Sequence, residues 1–335
     1  MLERWIHARE RGHFSRDNNR RVLPFQWGGE YVGNLAENLD PREYLHQFVE
    51  QVLSDSESFF TPPQPVEYSY SDGHLTFPSP IQSAYPENNL TYARFFPANS
   101  AERAVILLPH WNADSQAYVA LCRLLNRLKL TALRLTLPYH EARKPPHLER
   151  ADYLISPNIG LTIQACRQAV LETRLAADWL VQRGYRKLAV VGTSIGSCIA
   201  FLTFAHDERL AVGVFNHASS YFADVVWTGL TTQHVRQGLE PYISLDELRR
   251  FWSVISPQSY VHRLRRTNRK SLVISARYDL SFLPYLTDQF HRELERCEVP
   301  FKTVVLPCGH YTSAQFPFKY VDGLVIANYL RNHLR

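Results

Sequence analysis

Leu188-Ala-Val-Val-Gly-Thr-Ser-Ile-Gly-Ser197 opens as an apolar, β-rich run and closes in small residues set two places either side of Ser194. Gly192 and Gly196 suit a chain that turns sharply from strand to helix, because a side chain at either place would crowd a serine held at the tip of the turn. The same five-residue pattern occurs in turns without chemistry, so its meaning depends on what surrounds it. A serine nucleophile requires an imidazole base and a carboxylate that orients the base. Two downstream strands end in those groups. Ser271-Leu-Val-Ile-Ser-Ala-Arg-Tyr-Asp279 finishes on an acid, and Phe301-Lys-Thr-Val-Val-Leu-Pro-Cys-Gly-His310 finishes on a histidine.

The chain order Ser194, Asp279, His310 resembles that of the α/β-hydrolase superfamily, over roughly residues 66–335. The resemblance implies a serine hydrolase with Ser194 as nucleophile, His310 as base and Asp279 as the acid. It would cleave a carboxylic ester or thioester of a hydrophobic small molecule through an acyl-enzyme, with no cofactor and no metal. Asp224, after the strand ending near Phe215, is an alternative acid; Asp279 is preferred because it directly ends a strand and is followed by Leu280-Ser281-Phe282-Leu283-Pro284, similar to many relatives. His110, His140 and His217 also follow strands but precede Asp279 in the chain. His140 and His217 read as packing residues, and His110 as a shaper of the oxyanion loop and a candidate substrate-binding residue.

Acyl transfer needs N–H donors for the oxyanion. In the related fold one comes from the residue after the nucleophile, here Ile195, and one from the loop after the third strand, here Leu108-Pro109-His110-Trp111-Asn112. Relatives carry His-Gly in that loop. This chain has His110-Trp111-Asn112, which leaves Trp111 and Asn112 as candidate donors. Pro138-Tyr139-His140-Glu141-Ala142-Arg143 is similar to a corner of dienelactone-hydrolase-like and esterase-like members, and with Glu172-Thr173-Arg174 it resembles the family of α/β-hydrolase domain-containing protein 18. Arg143 is a candidate for binding an anionic group, against an ordinary ion pair. A catalytically silent binding protein of the same fold, and a cofactor-free haloperoxidase or C–C hydrolase on the same triad, are the rival readings.

Around these motifs the chain reads as one large α/β unit. Of its 335 residues 45% are hydrophobic and 21% charged, with a formal net charge of +5, an ordinary globular balance. No motif points to nucleic acid. Basic residues gather at 263–270 and along the N-terminus, where solvated surface is the plain reading and peripheral contact with anionic lipid the sharper one. The five cysteines, Cys122, Cys166, Cys198, Cys297 and Cys308, lack paired spacing and read as reduced thiols of a cytoplasmic protein. No signal-peptide core and no run of 18 apolar residues occurs, so neither secretion nor a membrane span is expected.

Residues 1–62 form an N-terminal extension closed by Thr61-Pro62-Pro63-Gln64-Pro65, which no helix can traverse. Residues 63–335 form the catalytic domain. Strands are expected at 66–70 and 90–96, with a turn-rich stretch between them, and then alternating strands and helices from residue 104, the pattern of a mostly parallel sheet covered on both faces. One insertion, about 219–266, interrupts the alternation. Its aromatic residues, among them Tyr221 and Trp227, are expected to line an apolar substrate chamber beneath a cap.

Overall fold

The computed structural model describes residues 1–33, 40–63, 65–99 and 102–335; Gln64, within the proline-rich boundary, lies outside the described residues. Among the described residues nine strands form one sheet: β1 (Ser69–Ser71), β2 (His74–Pro78), β3 (Leu90–Phe96), β4 (Arg103–Leu108), β5 (Thr131–Leu135), β6 (Lys187–Thr193), β7 (Leu210–Asn216), β8 (Lys270–Ala276) and β9 (Phe301–Leu306). Their order is β1-β2-β3-β5-β4-β6-β7-β8-β9. The pairings among β1, β2, β3 and β5 are antiparallel and the remainder parallel. The helices are α1 (Leu2–Arg16), α2 (Pro41–Ser54), α3 (Ser56–Phe60), α4 (Val119–Arg127), α5 (Ile159–Gln182), α6 (Ile195–His206), α7 (Phe222–Thr228), α8 (Gln233–Leu239), α9 (Leu245–Phe251), α10 (Pro284–Arg296) and α11 (Phe318–His333). None of them is long and apolar enough to cross a membrane.

Strand β4 shows why two helical layers are required. Ala104, Ile106 and Leu108 belong to one buried cluster with α5 and α6, whereas Val105 and Leu107 belong to another with α4 and α11. Alternate side chains leave a strand on opposite faces, so a strand apolar at every position is stable only when both faces are covered.

The stretch expected to be turns contains a strand. Asp72 and Gly73 both take positive φ (49° and 78°), and the register Ser71↔His74 makes them the two central residues of a tight hairpin into β2. The short strand is hard to see because His74–Pro78 sits beside a turn signal and ends in proline, tolerated here because the pairing with β1 stops at Thr76.

Described parts of residues 1–62 pack onto the helices that cover the sheet. Leu45, Val49 and Val52 of α2 and Phe59 and Phe60 of α3 join the larger apolar cluster, and Ile6 and Glu10 of α1 are buried. Between β7 and β8 the chain forms α7, α8, α9 and short 3-10 turns; Ser244 opens α9 with a reciprocal capping box to Glu247. Its rings pack mostly against the N-terminal segment and α6. Phe251, Trp252 and Tyr260 are fully buried, and Phe222 meets Trp252 edge to face at 5.3 Å. For these three the expectation of lining a substrate chamber is corrected, since Trp27 and His46 cover Phe251, Phe60 and His206 cover Tyr260, and Trp252 packs on Phe222 with its indole donating to the Ile159 carbonyl. In the basic segment 263–270, Arg265 and Arg266 pair with Glu298, and Arg269 donates to the backbone carbonyls of Phe204, Asp207 and Leu210.

Arg143 is the largest departure from expectation on the polar side. It is fully buried, and its two terminal nitrogens meet the carboxylate of Glu172 on α5 at 2.6 and 2.7 Å while donating to the carbonyls of Asn88 and Thr136. Ser79 and Gln168 complete the shell around Glu172. Arg143 is thus a clamp between the loop after β5, α5 and the segment leading into β3, with no face left for a substrate anion. Replacing it strands a buried carboxylate, which typically costs about 3–5 kcal/mol. Arg143→Leu should lower the unfolding free energy from urea titration by that order; an Arg143 that bound substrate would instead change KM in a protein of normal stability.

Candidate active site

Strand β6 ends at Thr193 and α6 begins at Ile195, so Ser194 makes the whole turn. Its backbone sits at φ 59°, ψ −124°, a strained conformation for a residue with a Cβ. A Cβ on Gly192 would fall 1.9 Å from the Gly196 carbonyl oxygen, and one on Gly196 would fall 2.3 and 2.5 Å from the carbonyl oxygens of Leu108 and Pro109. The two glycines therefore let the head of α6 lie directly against the end of β4. Ser197 adds a second tie: its hydroxyl lies 2.7 Å from the Ser194 carbonyl and 2.8 Å from the His217 carbonyl, with its one proton between the two acceptors, linking the turn to the end of β7.

The loops after β8 and β9 bring Asp279 and His310 together. Asp279 is buried, and every acceptor site of its carboxylate is used: Oδ1 takes the N–H groups of Ser281 and Phe282, both at 2.7 Å, and Oδ2 faces two imidazole Nδ1 atoms, that of His310 at 3.1 Å and that of His217 at 2.8 Å. Burial alone would raise the Asp279 pKa, but the charge of His310 and the hydrogen bonds from both imidazoles overcome it and hold the group well below the usual carboxylate range. Burial pulls His310 down, yet the charge and hydrogen bond of Asp279, with the charge of Glu10 behind them, leave it above an ordinary histidine. Phe282 stacks flat on the His310 ring at 5.4 Å.

His217 is the residue that sequence reasoning misplaced. Read as packing, it lies at the site with its ring 4.6 Å from that of His310. The two imidazoles differ in what they leave free: His217 Nε2 faces the Ser313 hydroxyl at 3.3 Å, whereas His310 Nε2 has no partner among the described residues and its side chain keeps 12% exposure. His217, Asp279 and His310 also offer ligand atoms within 4.8 Å of one another. The separations at Oδ2 are hydrogen-bond lengths, and the carboxylate has no acceptor site left over, so two N–H···O bonds account for the arrangement without an ion. Ser194 Oγ makes no hydrogen bond among the described residues; nucleophile–base contacts are often long in free enzymes and tighten with substrate.

The oxyanion candidates separate. Ile195 holds the first position of α6, where an N–H has no acceptor within the helix. The Asn112 N–H donates to His140 Nε2 at 2.8 Å and its side chain accepts from Ala151 N–H at 2.7 Å, so Asn112 is corrected from donor to anchor. Burial pushes His140 down to about 3, which keeps it a neutral acceptor. The Trp111 indole donates to Ala151 O and stacks on His234, while its backbone N–H has no partner among the described residues. His110 lies beneath, its Nδ1 2.9 Å from the Tyr118 hydroxyl and its pKa pushed by burial to about 4.

The remaining candidates lie elsewhere. Tyr221 borders a surface hollow of about 600 Å³ together with His46, Asp224 and Arg249, and none of Ser194, Asp279 or His310 lines it, which corrects its expected place beside the nucleophile. Trp227 is half-buried beneath Arg236, whose guanidinium lies 5.3 Å from the ring. The alternative acid Asp224 is held by Arg249 at 2.6 and 3.2 Å and contacts no histidine among the described residues.

With this geometry in hand, solved structures of like shape are informative. An acetyl xylan esterase from Paenibacillus sp. R4 superposes with a TM-score of 0.61 at 11% identity, covering 90% of this chain and 98% of its own. An esterase of Pyrococcus furiosus gives 0.56 at 13% identity, covering 90% and 99%. Acylaminoacyl peptidase of Pyrococcus horikoshii gives 0.60 at 11% identity, covering 81% of this chain; the chain spans 42% of the peptidase's length. No family model matches the sequence, and no curated protein matches it. The chain has the α/β-hydrolase fold.

The two acids predict different outcomes. Asp279→Asn should slow fluorophosphonate labelling of Ser194 by about 10⁴-fold, the order seen when a triad carboxylate is neutralised. Asp224→Asn, which breaks only the Arg249 pair, should leave the labelling rate within about twofold, because its surroundings couple to no reacting group.

Proposed function

We propose that the protein is a serine hydrolase that cleaves a carboxylic ester or thioester of a hydrophobic small molecule. The observation that carries the reading is the hydrogen bond from His310 Nδ1 to buried Asp279 beside an imidazole Nε2 left without a partner, on the same sheet edge as the strained Ser194 turn. His310 takes the Ser194 proton as the oxygen attacks the acyl carbonyl, and Asp279 fixes the ring and stabilises the imidazolium. The N–H groups of Ile195 and Trp111 hold the oxyanion. His310 then protonates the leaving group, and water deacylates Ser194 by the same route.

Phe282, flat against the imidazole, supplies an apolar wall next to the base and supports a hydrophobic acyl or alcohol group. Solved proteins of this fold named as esterases agree with acyl transfer. The five cysteines are all unpaired, in keeping with the reducing cytoplasm we assign to the protein.

Fluorophosphonate should modify wild-type protein at Ser194 alone, mapped by mass spectrometry, and Ser194→Ala should abolish labelling and lower kcat on short p-nitrophenyl esters by on the order of 10⁶-fold. Labelling elsewhere, or none, overturns the reading. The pH profile follows from the sign of the His310 shift. The base acts in its neutral form, and its pKa lies above the ordinary value of about 6.5. The acid limb of kcat/KM should therefore have a midpoint above that value, with activity lost as pH falls through it.

A further inference from the structure

Glu10 is a carboxylate with no exposed surface, on a helix outside the region that carries the triad motifs. Its two oxygens are divided between consecutive peptide groups: Oε2 accepts from Tyr311 N–H at 3.0 Å and Oε1 from Thr312 N–H at 2.9 Å. These are the first two peptide groups after His310. The contact is built from both sides, since a Cβ on Gly309 would fall 2.5 Å from the Glu10 carboxyl carbon. Around it, His13 stacks on the Tyr311 ring at 5.9 Å, Arg20 donates to the Tyr311 hydroxyl at 3.0 Å, and Arg9 donates to Gln315 at 3.0 Å.

We propose that Glu10 is a positioning residue for His310, and that α1 is therefore a working part of the active site: it delivers a buried carboxylate to the two peptide groups that follow the histidine and fixes the backbone from which the imidazole hangs. The inference rests on His310 being the base. A buried carboxylate is tolerated only when hydrogen-bonded, and peptide N–H groups buried beside it need an acceptor, so each side requires the other. Imidazole aim depends on its backbone, and a displacement of about 1 Å at a reacting group can lower a rate by about 100-fold.

Glu10 also acts through its charge. The groups facing His310 are Asp279 after β8, His217 after β7, His110 after β4 and Glu10 from α1; those facing Glu10 itself are His310, Tyr311 and Cys308. The Glu10 charge is among those that raise the His310 pKa, behind Asp279. Glu10→Gln keeps one acceptor but removes this charge, so the His310 pKa should fall and the acid limb should move to lower pH.

The test compares wild type, Glu10→Gln, Glu10→Ala and Ile6→Ala, the last removing only a buried apolar contact of the same helix. For each variant the thermal midpoint, the rate of Ser194 phosphonylation and the His310 imidazole pKa, by NMR with His310→Ala for assignment, are measured. The expected result is labelling about 100-fold slower in Glu10→Ala, a smaller loss with a lowered imidazole pKa in Glu10→Gln, and an unmoved pKa in Ile6→Ala. Equal rates and an unchanged imidazole pKa in both Glu10 variants, or losses that track the thermal midpoint as in Ile6→Ala, would overturn it. Absence of labelling in wild type strikes the hydrolase reading alone, because the imidazole titration still decides whether Glu10 controls His310.

Discussion

The close approach of the head of α6 to the end of β4 is the constraint on which the site depends. Gly196 lies so near the carbonyls of Leu108 and Pro109 that no other residue fits without moving one of the two elements. That single contact brings the first turn of α6 against the end of β4, from which the loop at 110–112 departs. The strain of the Ser194 backbone is held by packing on both sides: β6 is hydrogen-bonded between β4 and β7, and α6 is buried over nearly all its length.

A second constraint follows from burying Asp279. Four donors surround it, and two are imidazoles sharing one oxygen. An ionised carboxylate in such a place is stable because each lone-pair site has a donor, and the arrangement keeps it ionised when His310 takes a proton. His217 then contributes without touching a reacting group: its bond to Oδ2 helps hold the carboxylate charged and in place, and its own carbonyl is tied through Ser197 to the nucleophile turn. Ser194, Asp279 and His310 are thereby tied, through His217 and Ser197, to the ends of four adjacent strands.

What the sequence made legible was local. Apolar runs ending in Ser194, Asp279 and His310 announce strands with chemistry at their carboxyl ends, and their order is visible without a structure. Alternation from residue 104 onward gave a mostly parallel sheet for the same reason, since continuous burial of β4 to β8 leaves no polar face. What stayed illegible are contacts between distant segments. Glu10 and His310 are 300 positions apart, and a glutamate in an Arg-rich helix looks like surface. Arg143 and Asn112 sit in loops whose partners, Glu172 and His140, are fixed by how α5 and the post-β5 loop pack, which no motif encodes. The His217 error has the same origin: its strand-end position was visible, but its bond to a carboxylate after the next strand was not.

The backbone itself records where these long-range contacts matter. Non-glycine residues with positive φ recur at Asn112, Tyr139, Glu141, Ser194 and His217, in loops after β4, β5, β6 and β7. Each costs free energy of order 1–3 kcal/mol and persists only where surroundings over-determine it. The surroundings are visible: His140 and Ala151 grip Asn112, Asn88 receives the Tyr139 N–H, Arg134 pairs with Glu141, and the His217 N–H binds Ile274 O. The buried Arg143–Glu172 clamp stands behind the second of these, joining the segment that carries Asn88 to α5 and to the corner after β5. Strain along one edge of the sheet is thus offset by polar contacts buried beneath that edge, and this is why residues far from any reacting atom, Arg143 and Glu172 among them, belong to the physical account of the site: they hold the loops in conformations the loops would not adopt by themselves.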